Sequence, residues 1–117
     1  MLASFLDTVR DGDMIAPRRM AERLRVPMTQ LSKLAHINRN TLADKPGSPT
    51  VQAKLGQIAR IITRAAELSG DEGRAIIWFR HQPIAGFGNR TAEELVEAGQ
   101  ADAVIEDLER MAEGVYG

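Results

Sequence analysis

The sequence predicts an all-α fold, and two observations indicate it. Apolar residues recur at helical spacings of three and four along most of the chain, and the strand-like alternation of apolar and polar residues is almost absent. With 117 residues, of which 44% are hydrophobic and 26% charged, the chain fits one domain, or two very small ones sharing a core. We expect an N-terminal helical bundle at 1–68, ending in a long connecting helix, and a small helical domain at 69–117.

The N-terminal half predicts four helices. Pro17 is tolerated in the first turn of the first one, which ends at Val26-Pro27, because the residue before a proline is pushed out of the helical region. The other three are expected at about 28–36, at 39–44 after the cap Asn38, and at 50–68 after the break at 45–49. The longest carries an apolar stripe of Val51, Leu55, Ile58, Ile62 and Ala65.

The C-terminal half predicts three shorter helices. Gly70 suits a left-handed cap before a helix at about 71–80, which a loop at 82–90 follows. Thr91 and Glu94 form a capping-box pattern that starts a helix ending near Gly99. The last helix is expected at about 101–113, with an apolar face of Val104, Ile105, Leu108, Met111 and Ala112.

Charge is divided unevenly along the chain, although the total is only −1. Residues 16–64 hold ten Lys or Arg against two acids, a balance of +8. Residues 65–117 hold four Arg against eleven acids, a balance of −7. One interpretation is that the two halves bind two kinds of partner, with a polyanion binding the basic half. The other is that both halves present ordinary solvated surfaces.

The basic half contains a helix-turn-helix pattern at 28–42, MTQLSKLAHINRNTL. A small residue, Ala35, stands where two helices cross, and a turn at 36–38 leads to a second short helix. This pattern resembles the helix-turn-helix of Xre/Cro-type regulators over about residues 17–64. The resemblance implies that the second helix enters the major groove of operator DNA, commonly as a homodimer reading two half-sites.

The residue chemistry suits that role. The resemblance places Arg39, Asn40 and Thr41 on base edges, and Arg and Asn can pair bidentately with guanine and adenine. Thr29 and Gln30 would hold phosphate oxygens, and Lys33 and Lys45 would add counterion release. Asp44 at the end of the second helix, and the shortness of that helix, favour weak binding by a single module.

The acidic half carries a more specific pattern in three pieces: WFRHQPI at 78–84, GFGNRTAEEL at 86–95, and MAEGVYG at 111–117. It resembles the C-terminal toxin-binding domain of Xre/MbcA/ParS-type antitoxins. Such an antitoxin neutralises a RES-domain toxin that degrades NAD or uses it to ADP-ribosylate a target. The resemblance implies that the C-terminal end enters the toxin's active site and excludes NAD, and that the N-terminal domain represses the antitoxin's own operon. Complexes of higher order with the toxin are also expected.

Toxin contacts are expected at Arg80, Pro83, Arg90, Glu109, Glu113, Gly114, Val115, Tyr116 and Gly117. Gly114 can release the tail from helical geometry, Val115 and Tyr116 can fill a pocket, and the acids can mimic the pyrophosphate of NAD. Arg80 and Pro83 have an alternative interpretation, in which they only shape the loop. Trp78 and Phe79 are expected in the core rather than in contact with a partner.

Other classes of function find no support in the sequence. The chain has no Cys and no histidines at helical spacing, which argues against a metal site. The sequence shows neither a phosphate-binding loop nor a nucleophile paired with a base, so it does not indicate an enzyme or a bound cofactor. No apolar run spans a bilayer, so we expect a cytoplasmic protein. The alternative function is a stand-alone Xre-type transcriptional regulator whose acidic half dimerises or senses a ligand.

Overall fold

The computed structural model describes the backbone of residues 4–116 and the side chains of residues 4–114. Within these limits it contains eight α-helices and one two-stranded hairpin, which confirms the all-α prediction. The elements are α1 (Phe5–Val9), β1 (Arg10–Asp11), β2 (Met14–Ile15), α2 (Pro17–Leu24), α3 (Met28–Ala35), α4 (Arg39–Asp44), α5 (Pro49–Ser69), α6 (Glu72–His81), α7 (Ala92–Glu97) and α8 (Ala101–Tyr116). No helix in the described part of the chain is long and apolar enough to cross a membrane.

The chain divides into two units, Met1–Arg60 and Ile61–Gly117, with the boundary inside α5. The predicted functional division at 68/69 lies farther along the same helix. Each unit has its own buried apolar residues, so each is described by itself.

The first unit begins with elements that the sequence did not predict. Ser4 caps α1 by accepting a hydrogen bond from the Asp7 amide at 3.2 Å. The strands β1 and β2 pair antiparallel across a turn in which Gly12 has φ of +64°. The core of this unit consists mainly of Phe5, Val9, Met20, Leu24, Leu31, Leu34, Leu42, Val51, Leu55 and Ile58.

One side chain fastens the hairpin to α5. The Gln52 Oε1 atom accepts a hydrogen bond from the Ile15 amide at 2.8 Å. Its Nε2 atom donates to the Ile15 carbonyl at 3.0 Å and to the Pro46 carbonyl at 2.7 Å. Gln52 therefore holds both the end of β2 and the connection that follows α4.

In the second unit, α7 packs against both α6 and α8, and Arg64 in the C-terminal part of α5 bonds to Glu109 of α8. Phe79 is fully buried and Trp78 half-buried, so the expectation that both are core residues is confirmed only for Phe79. Other buried residues of the unit are Ile61, Ile62, Ala65, Ala75, Ile76, Ile84, Ala92, Leu95, Val96, Ala101, Val104, Leu108 and Ala112. The capping box at Thr91 and Glu94 is present as predicted, and Gly70 has the expected left-handed φ of +81°.

Candidate functional site

The helices α3 and α4 form a helix-turn-helix whose turn is closed by its own backbone. His36 ends α3 in the left-handed region, with φ of +55°. The Ile37 amide donates to the Ser32 carbonyl at 3.1 Å, and the Ser32 hydroxyl donates back to the Ile37 carbonyl. Ala35 is 1% exposed, so the small residue predicted at the helix crossing is indeed enclosed.

The first turn of α4 presents the predicted base-reading residues to solvent. The Asn38 side chain caps the helix by accepting from the Asn40 amide at 2.8 Å. Leu42 is 1% exposed and anchors the inner side of α4 in the core. Arg39, Asn40 and Thr41 are consequently all exposed on its outer side.

The remaining predicted DNA contacts lie on α3 or beside α4. Thr29, Lys33 and Lys45 are exposed, and Gln30 is half-buried. Arg39 also borders a groove of about 330 Å³ with Arg18, in the first turn of α2. Sequence reasoning missed Arg18, although an arginine pair directly after Pro17 was a usable signal. The groove is lined by Ala16, Pro17, Arg18, Met28, Arg39, Leu42, Ala43 and Pro46.

The first unit is positively charged over its surface. Residues 1–60 contain ten Lys or Arg against five acids, a net charge of +5. All ten basic residues are exposed. Since none of these cations is buried, the positive charge of the unit lies at its surface, where a polyanion can approach it.

In the second unit, two of the predicted toxin contacts, Arg80 and Pro83, also make contacts within the unit. Arg80 Nε lies 3.5 Å from Glu93 Oε1, an ion pair that joins α6 to α7, and the Arg80 side chain is 29% exposed. Pro83 is exposed but pairs with Thr91 in an isolated antiparallel bridge. The alternative interpretation of Arg80 and Pro83, that they shape the loop, describes the geometry of both.

Arg90 joins the loop to the start of α8. Its Nε atom donates to the Phe87 carbonyl at 3.1 Å, and its Nη2 atom donates to Gln100 Oε1 at 3.2 Å. The loop itself needs left-handed residues at Gly86, Gly88 and Asn89, with φ of +88°, +67° and +59°. The glycines of the GFGNR pattern thus have a backbone explanation.

The end of α8 differs from the prediction. The helix continues to Tyr116, so the expectation that Gly114 releases the tail from helical geometry is wrong. Glu109 Oε1 accepts from Arg64 Nε at 2.9 Å, while Glu113 is exposed. The side chains of Val115 and Tyr116, and the whole of Gly117, lie outside the described residues.

Two large apolar side chains of this unit are exposed. Ile77 on α6 is 62% exposed, and Met111 on α8 is 41% exposed. The inward position expected for Met111 is therefore wrong; of the five residues expected on this face, Val104, Leu108 and Ala112 are buried and Ile105 is half-buried. Met111 lies at the edge of that stripe, which a one-dimensional pattern does not resolve.

These features define a class: a helical binding protein with a basic helix-turn-helix unit and an acidic helical unit. Comparison with known families makes the second unit specific. Residues 64–114 match the antitoxin Xre/MbcA/ParS C-terminal toxin-binding domain. The match supports an antitoxin of the Xre/MbcA/ParS type with a toxin-binding C-terminus. A search of curated proteins found no match.

Proposed function

We propose that the protein is the antitoxin of a RES-domain toxin, and that its C-terminal end blocks the NAD-binding active site of that toxin. The family match at residues 64–114 is the observation that carries this proposal. The protein acts by binding rather than by catalysis. The toxin is the protein partner, and the complex acts in the cytoplasm, where NAD and operator DNA are both present.

The outer face of α8 has the chemistry that an NAD site would accept. Asp102, Glu106, Glu109 and Glu113 follow one another at spacings of four, three and four, so they share one side of the helix. All four are exposed. A cleft built for the pyrophosphate of NAD is basic, and an acidic helix leading into it gains electrostatic complementarity and a faster association rate. Gly114, Val115, Tyr116 and Gly117 then follow as the inserted end.

Inhibition is tested with the product of the neighbouring gene. The two proteins are purified separately, mixed at increasing ratios, and the loss of NAD is followed over time. We expect this chain to abolish NAD loss at a stoichiometric ratio. A neighbouring product without a RES domain, or one whose NAD consumption this chain leaves unchanged, would refute the proposal.

We propose further that the first unit represses the antitoxin's own operon. Support comes from the exposed first turn of α4, the exposed Thr29, Lys33 and Lys45, and the net charge of +5. Because a six-residue α4 contacts few base pairs, a homodimer on two half-sites provides the affinity, and toxin binding builds larger assemblies. Sedimentation equilibrium at micromolar concentration should give twice the monomer mass; a monomer would contradict the dimer.

Gel shifts on the upstream DNA test the repressor role. Arg39→Ala should weaken binding to the operator and reduce discrimination against unrelated DNA. Arg60→Ala is the matched control, because Arg60 is equally exposed but lies on α5, outside the helix-turn-helix. If both variants bind every sequence equally well, α4 does not read bases. Operator binding without any toxin gene nearby would favour the stand-alone regulator.

A further inference from the structure

The helix α8 has a third face, besides its buried stripe and its acidic side. At 100° per residue, Ala103, Asp107, Met111 and Gly114 fall within roughly 80° of one another. This flank lies beside the buried residues and away from the acidic side. Ala103 and Asp107 are half-buried, and Met111 and Gly114 are exposed. We call these four residues the α8 flank.

The α8 flank begins in a groove. The groove has a volume of about 610 Å³ and is lined by Gly86, Phe87, Gly88 and Arg90 from the loop, by Gln100 just before α8, and by Ala103 on α8. Arg90 links the two sides of the groove by its hydrogen bonds to the Phe87 carbonyl and to Gln100 Oε1. A Cβ atom built on Gly86 or Gly88 would meet no other atom within 4 Å, so these glycines face open space.

Groove and flank form one continuous surface. Ala103 lines the groove, and Met111 lies two helical turns further along the same side, roughly 12 Å away. Met111 and Ile77 are the two large apolar side chains exposed among residues 4–114. The flank then reaches Gly114. Under the proposed function, Gly114 begins the segment that enters the toxin's active site.

The charge of the groove differs from that of its unit, whereas the α8 flank carries one acid, Asp107, paired with Arg110. Residues 61–117 carry five Arg against eleven acids, a net charge of −6. The groove lining nevertheless contains one arginine and no acid. Two nitrogens of Arg90 are bonded inside the unit, and its Nη1 atom makes no hydrogen bond within residues 4–114. Nη1 can therefore donate a hydrogen bond to a carboxylate of a partner.

We infer that the groove and the α8 flank are where the toxin docks, and that the occupant is a toxin segment carrying an apolar side chain next to a carboxylate. The apolar side chain lies against Phe87 and Ala103, the carboxylate binds Arg90, and a further part of the same segment covers Met111, about 12 Å along the flank. This inference rests on the proposed function, because it takes the toxin as partner. It adds a second contact area, which holds the toxin while the C-terminal end occupies the active site.

Two substitutions on this surface test the inference in the full-length chain. Ala103→Glu fills the groove and repels a carboxylate, and Glu in the first turn of α8 suits the helix dipole. Met111→Glu places a charge on the apolar part of the flank. The matched controls are Ala53→Glu, at an exposed position of α5, and Ile77→Glu, at an exposed position of α6. Circular dichroism confirms that each variant is folded.

The measurement is the dissociation constant for the purified toxin, by titration calorimetry. We expect Ala103→Glu and Met111→Glu each to raise it at least tenfold, as for central interface residues. The controls should stay within about twofold of the unmodified chain. If the unmodified chain binds toxin and both test variants bind equally well, this inference is wrong while the proposed function stands. If the unmodified chain binds no toxin, the proposed function itself fails.

Two other results would also overturn the inference. Equal weakening by Ile77→Glu and Met111→Glu would move the docking site away from the α8 flank. A test variant that binds toxin normally but shifts the antitoxin alone from dimer to monomer would show that a second copy occupies the groove.

Discussion

Removing the Gln52 amide should destabilise the first unit by about 1.5–3 kcal/mol. The side chain makes three hydrogen bonds, to the amide and carbonyl of Ile15 and to the carbonyl of Pro46. Each such bond contributes about 0.5–1.5 kcal/mol net, so three give about 1.5–4.5 kcal/mol. Gln52 is half-buried, and water can solvate part of what Gln52→Ala exposes. We therefore expect a loss in the lower half of that range.

Urea denaturation followed by circular dichroism measures the loss, with Lys54→Ala as control. Lys54 lies on the same helix, is exposed, and forms no hydrogen bond or ion pair within the described part of the chain. Amide hydrogen exchange adds a local readout, because the Ile15 amide should exchange much faster in Gln52→Ala. A free-energy change below about 0.5 kcal/mol, or unchanged exchange at Ile15, would refute the reasoning.

Three further predictions concern the packing that supports the two surfaces. Thr91→Ala removes a cap that accepts from the Glu94 amide at 3.1 Å; thermal denaturation should show a loss of about 1 kcal/mol, and no loss would mean that the capping box is not formed in solution. Leu42→Ala leaves a cavity under α4 and should cost about 2–5 kcal/mol in urea denaturation, with a cost below 1 kcal/mol contradicting its burial. Glu109→Gln loses the exposed ion pair with Arg64 and should cost less than about 1 kcal/mol; a larger value would mean that the pair is not solvent-screened.

The helices were predictable because their signals are local. Asn38, Thr91 and Gly70 act within one turn of their own positions, and the structure confirms all three. The hairpin at 10–15 has two residues per strand, too few to show alternation. Its tether from Gln52 joins residues 37 positions apart, and no local pattern contains that information.

The sequence could predict which residues belong to the candidate site, but not which partners their side chains contact. The exposed first turn of α4 follows from the burial of Leu42, which periodicity indicates. The partners of Arg90 and Glu109 depend on how α8 packs against the loop and α5, and sequence spacing does not reveal them. The rotation of α8 that exposes Met111, like the exposure of Ile77, is likewise set by tertiary packing.

The central claim, that the C-terminal end occupies the toxin's NAD site, is tested most directly by a variant that ends at Gly114. The last buried side chain of α8 among residues 4–114 is Ala112, and thermal denaturation checks that the shortened chain keeps the stability of the full chain. In the NAD-loss assay we expect the shortened antitoxin to bind toxin through the groove and α8 flank yet to inhibit far less than the full chain. Undiminished inhibition by the folded variant would contradict the claim.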